Sequence, residues 1–215
     1  MTAGSAPAGE FAFATPADWF AVRLPRTESD ADQLARDLAA AQPALADRRD
    51  ELRAMLSGLT GSLAVRQAAA AYAAFPGGPA ELPATLLVSV LPMGGSTLDQ
   101  IGWEMPGTDH PSAPSTTKMF DLPAGRTMRM EQLIEPSATG DNRRPASVTV
   151  KYVTEVPGRD QVIALTFATS ALTLVDQVRL VFHQIACSLL INPAGRVRPP
   201  ARSGSPSHSD AAEAY

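Results

Sequence analysis

Ala146-Ser-Val-Thr-Val-Lys-Tyr-Val-Thr-Glu-Val156 and Gln161-Val-Ile-Ala-Leu-Thr-Phe-Ala168 decide the fold class of this chain. Both runs are rich in β-branched and aromatic residues, which suit a pleated, half-buried surface, and Pro157-Gly-Arg-Asp160 between them is turn chemistry. The two runs therefore form a hairpin. Leu174 to Ile191 follows without Pro or Gly, and its Val175, Val178, Phe182, Ile185, Ala186 and Leu189 fall on one helical stripe. This predicts a closing amphipathic helix packed on the hairpin.

Strand signals recur upstream. Thr85-Leu-Leu-Val-Ser-Val-Leu91 is continuously apolar, the pattern of a central strand covered on both faces. Thr117 to Leu122 and Thr127 to Ile134 flank Pro123-Ala-Gly-Arg126 as a second hairpin. Glu10 to Thr15 and Trp19 to Leu24 read as two short strands broken by Pro16 and ended by Pro25. From Ser29, the expected cap, a helix carries Leu34 and Leu38; after Pro43 a second carries Leu45, Leu52, Met55, Leu56 and Leu59. Leucines spaced by sevens over so short a span, interrupted by Pro43, fit packing on a sheet better than a coiled coil. Ala68 to Phe75 is ambiguous, its alanines favouring helix and its aromatics strand, with strand expected for the second half. Ser96 to Trp103 reads as a short helix capped by Ser96, while 106–114 and 136–145 read as loops.

The expectation is one α/β (α+β) domain over residues 10–194, a mostly antiparallel sheet with helices on both faces. Residues 1–9 and 195–215 hold little apolar surface to offset the entropy of ordering them, so both ends are expected to be disordered. A net charge of -4 argues against a generic nucleic-acid binder. The opening residues have neither the basic nor the apolar region of a secretory signal, and no apolar run reaches a membrane-spanning length. The single cysteine, Cys187, excludes an intramolecular disulfide and fits a cytoplasmic protein.

Taken together, several features resemble the PsbP-like superfamily, which includes the Mog-type Ran-binding protein. They are Pro16 with Trp19-Phe20, the Leu122-Pro-Ala-Gly125 turn with Arg126, the Val156-Pro-Gly158 hairpin, and the closing helix with Phe182 and Ile185-Ala186. The resemblance covers roughly residues 10 to 192 and is to uncharacterised actinobacterial members, in keeping with the alanine- and arginine-rich composition. It implies a PsbP-like sandwich that serves as a binding or assembly module and not as an enzyme. It supplies no active-site residue to carry over.

Candidate chemistry is sparse. His183 and Cys187, four apart, share one side of the closing helix, but no third ligand stands near in sequence, and both are expected on the flank of the apolar stripe. Met93-Gly-Gly-Ser-Thr97 opens a helix where backbone amides could hold a phosphate, but it lacks the lysine of a P-loop. Asp99, Glu104, Asp109, Asp121, Glu131 and Glu135 are scattered carboxylates. Arg126, Arg129, Arg143 and Arg144 around the second hairpin form the expected partner or anion patch. No catalytic, cofactor-binding or metal-ligating residue is assigned, and no cofactor. The expected function is a non-catalytic cytosolic protein-interaction or assembly module with a protein as partner. The alternative is a small-ligand binder or enzyme with a pocket between the sheet and the Leu34 to Leu59 helices.

Overall fold

In the computed structural model, which describes residues 2–5, 11–25, 27–41, 46–47, 49–50, 52–53, 56, 68–74, 84–104, 115–135 and 146–191, both expected hairpins form. The elements run β1 (Thr2–Ser5), β2 (Phe11–Thr15), β3 (Trp19–Val22), α1 (Glu28–Ala41), β4 (Ala68–Ala74), β5 (Ala84–Pro92), α2 (Leu98–Glu104), β6 (Ser115–Leu122), β7 (Gly125–Ile134), β8 (Ser147–Glu155), β9 (Gln161–Thr169), α3 (Val175–Cys187) and β10 (Leu190–Ile191). The large sheet is antiparallel throughout, in the order β3-β4-β5-β9-β8-β7-β6, and β1-β2-β10 form a small second sheet. This is an α+β fold with helices on both faces of the large sheet.

Alternation of side chains along each strand splits the core in two. On one face, called here the α3 face, Leu86, Val88, Val150, Tyr152, Ile163, Leu165 and Phe167 pack against Val178, Phe182, Ile185 and Ala186 of α3, with Trp19 and Phe13 closing the side. The other face carries two separate apolar clusters. Val22, Ala71, Ala73 and Leu87 pack under Ala31 and Ala35 of α1 and under Leu52 and Leu56. Met128, Val153, Val162 and Ala164 pack under Leu98 of α2. Leu52 and Leu56 are helical as expected; Leu45, Met55 and Leu59 lie outside the described residues.

The structure differs from the sequence expectations at several boundaries. The cap of α1 is Thr27, not Ser29: Thr27 Oγ1 accepts from Asp30 N at 3.1 Å and Asp30 Oδ2 accepts from Thr27 N at 3.0 Å, a reciprocal box. The same exchange between Thr97 and Gln100 replaces Ser96 as the cap of α2. Strand β4 spans the whole alanine run, because pairing on both sides with β3 and β5 overrides helix propensity. The closing helix ends at Cys187. Ser188 Oγ donates to Ile185 O at 2.7 Å and accepts from Ala14 N at 2.9 Å, which ties the helix end to β2 and lets Leu190–Ile191 pair with that strand. Thr2–Ser5, inside the segment expected to be disordered, pairs with β2 through backbone hydrogen bonds, which need no apolar side chain. The loops at 106–114 and 136–145 and the tail at 195–215 lie outside the described residues.

Candidate functional site

Strands β6 and β7 extend the sheet beyond the cover of α3, and the charged side chains gather on this wing. On the α3 face the row Lys118, Arg129, Tyr152 crosses β6, β7 and β8, and the next row holds Thr116, Glu131 and Val150. Arg129 Nη2 donates to Glu131 Oε2 at 2.6 Å, and Arg179 Nε of α3 donates to Glu131 Oε1 at 2.9 Å. Arg179 Nη1 reaches back to Asp176 Oδ1 at 2.6 Å. Glu131 thus joins helix to wing. Its hydrogen bond raises the Arg179 pKa above the ordinary value. The Arg129 guanidinium lies 5.9 Å over the Tyr152 ring, and its Nε is buried with no hydrogen-bond partner among the described residues.

His183 is not turned away from the sheet as its place beside the stripe suggested. Its ring packs between Phe120 and Tyr152, with centroids at 6.0 and 6.1 Å. Nδ1 is 3.5 Å from the Tyr152 hydroxyl, at the outer limit for a hydrogen bond, and Nε2 is 3.5 Å from Cys187 Sγ, within reach of the larger sulfur atom. Burial raises the Tyr152 pKa; Arg129 opposes this, and Cys187 and Glu131 add to it. The orienting partner for the histidine therefore comes from β8, outside the helix. Among the described residues no group of three or more His, Cys, Asp and Glu could hold a metal ion.

The expected arginine patch is divided. Arg126 and Arg129 are three apart on one strand, so they point to opposite faces of the sheet. Arg126 faces α2 and pairs at 3.4 Å with Asp99, both exposed, while Arg129 is engaged on the α3 face. Arg143 and Arg144 lie outside the described residues. In the Met93–Thr97 turn, Gly94 and Gly95 have φ of 61° and 77°, and the Gly95 amide donates to Asp160 Oδ1 at 3.1 Å. The amide that could have faced a phosphate is bonded to a carboxylate of the β8–β9 turn.

The face opposite α3 holds a feature the sequence reading missed. Between the cluster under α1 and the cluster under α2 runs a largely polar band: Thr117, Met130, Lys151 and Thr166 in one row, Gln132 and Thr149 in the next, with Met130 joining the cluster under α2. Lys151 is half-buried on a central strand, and burial lowers its pKa below the ordinary lysine value. Among the described residues it has no hydrogen bond or ion pair. The available signal was its place in an alternating strand, between Val150 and Tyr152, in a chain with only two lysines. A separate recess on the α3 face, lined by Phe11, Val90, Val156, Ile163 and Ile191, has room for about one water molecule.

No known protein family matches this chain, and no curated protein does. Among solved structures, the solution structure of cyanobacterial PsbP (CyanoP) from Synechocystis sp. PCC 6803 is similar, with 13% identity and a TM-score of 0.48. The match covers 89% of this chain and 92% of that one. Among the described residues no helix is long and apolar enough to cross a membrane.

Proposed function

We propose that this chain is a non-catalytic interaction module that takes an extended segment of a partner protein along β6. The free edge of β6 carries the proposal. Natural sheets shorten, bulge or cover their edges, because a row of unpaired amides and carbonyls is a template for another strand. β6 is eight residues long, pairs with β7 over its whole length without a register shift, and among the described residues has no strand on its other side. The opposite edge, β3, has four residues.

The side chains along β6 specify the segment. Thr116 to Met119 are exposed, with Lys118 on the α3 face and Met119 on the other, and Phe120 is half-buried against His183. A complementary strand places an acidic residue beside Lys118 and apolar residues beside Met119 and Phe120. Arg129 and Arg126 then flank it, one on each face. The single cysteine fits action in a reducing cytoplasm.

The test is affinity capture from the native host with wild type and with Lys118→Glu/Met119→Asp, followed by amide hydrogen exchange on the captured complex. The expected result is a partner lost by the double variant and slowed exchange confined to residues 116–121 on binding. Equal capture by both proteins, or unchanged exchange along β6, overturns the proposal.

A further inference from the structure

The chain has 18 basic residues, of which only Lys118 and Lys151 are lysines. One is on the exposed edge; the other lies in the polar band at the middle of the sheet. An ammonium taken out of water needs a counter-charge, or it loses its proton. Among the described residues, the charged groups nearest Lys151 are engaged elsewhere, face the other way or lie well along the strands. Glu131 lies on the opposite face, joined to Arg129 and Arg179. Asp99 on α2 pairs with Arg126, and Asp32 on α1 pairs with Arg36 and Arg49. Asp121 and Glu155 share the face of Lys151 but lie four residues along their strands from its row, about 13 Å away.

Donors lie on one side of Lys151 and an apolar side chain on the other. Thr166 stands directly opposite it on β9 and Met130 on β7, Thr149 is two residues back on the same face, and Gln132 pairs with Thr149 from β7. Thr149 and Thr166 are half-buried, as is the lysine, while the flanking Leu87 and Val153 are buried. Two apolar walls therefore border a strip with one cation and several hydroxyls. A guanidinium would hold its charge under any burial, whereas an amine is compact and can adjust its proton to its occupant.

We infer that this band binds the oxyanion group of a small molecule, a carboxylate or a phosphate, with the Lys151 ammonium as counter-charge and the Thr149 and Thr166 hydroxyls as donors. The site lies on the opposite face from the Arg129–Glu131 network and is independent of strand addition at β6.

Two lysines make the test direct. The full chain, labelled with lysine carrying 13C at Cε, gives two side-chain signals, assigned by Lys118→Arg and Lys151→Arg. Sodium phosphate and sodium acetate are titrated separately, with sodium chloride at matched ionic strength as control. The expected result is a saturable shift of the Lys151 signal by at least one oxyanion, with a raised titration midpoint, while the Lys118 signal stays in place. The responding salt tells phosphate from carboxylate. Thr149→Val and Thr166→Val should each weaken the response about tenfold, equivalent to one hydrogen bond to a charged group. A Lys151 signal that follows chloride, moves only as Lys118 moves, or responds in both threonine variants as strongly as in wild type overturns the inference.

Discussion

Phe182 of α3 stacks on Phe167 of β9 with ring centroids 4.4 Å apart and planes 20° from parallel. Trp19 meets both rings edge-on at 6.3 Å, so one aromatic cluster joins the closing helix, the central sheet and the first strand of that sheet. Phe182 is fully buried. Phe182→Ala therefore leaves a cavity that three elements line, and the expected loss is about 3 to 5 kcal/mol. Urea unfolding followed by tryptophan fluorescence measures it; a loss under about 1 kcal/mol would place the helix stripe elsewhere.

Glu131 is the hinge of the charged network on the wing. Glu131→Gln keeps its shape but removes the charge that holds Arg129 and Arg179, leaving Arg129 half-buried beside Tyr152. The expected cost is about 1 to 3 kcal/mol, since hydrogen bonds to a charged group are lost in a partly buried setting. Arg179→Ala should cost less, because that side chain is 37% exposed and its pairing is screened. Equal melting temperatures for wild type and Glu131→Gln would show that the network is decoration.

The strands and the stripe of α3 were legible because each is a local pattern: alternation or continuous apolarity for β5, β8 and β9, and a 3.6-residue period for Val178, Phe182 and Ile185. The division of Arg126 from Arg129 was also legible, since residues three apart on a strand cannot share a face. What local pattern could not carry was any relation made by the sheet as a whole. His183 meets Phe120 and Tyr152 only because β6 and β8 bring those rings beside α3. The strip around Lys151 exists only because α1 and α2, far apart in sequence, cover separate parts of one face. β1 was missed for a different reason: its four residues pair through the backbone, and Thr-Ala-Gly-Ser carries no hydrophobic signature.

Thr27 and Asp30 satisfy each other's backbone amides at the start of α1, where Glu28 and Asp30 also oppose the positive end of the helix dipole. Thr27→Ala should cost about 1 kcal/mol, whereas Ser29→Ala, at the position the sequence favoured, should cost little. Thermal melts of the two variants separate the assignments. A larger effect at Ser29 would move the helix start by two residues.

Lys151 gives the molecule a pH dependence whose sign can be worked out. Burial lowers its pKa in the folded protein below the unfolded value. Between the two values the unfolded chain holds the extra proton, so stability rises with pH across that window. Below the folded pKa the full penalty of a buried, unpaired ammonium is present; as pH rises through the folded pKa toward the unfolded one, the penalty is relieved. Lys151→Met removes the charge and keeps much of the volume, so at neutral pH it should stabilise the fold. Its advantage should shrink as pH rises toward the ordinary lysine range. Urea midpoints of wild type and Lys151→Met, measured in steps from pH 7 to about pH 10 without phosphate or acetate, test both statements. A variant less stable than wild type at pH 7, or a gap that widens with pH, would mean that the lysine is paired in the fold and that the band around it is not a site for an anion.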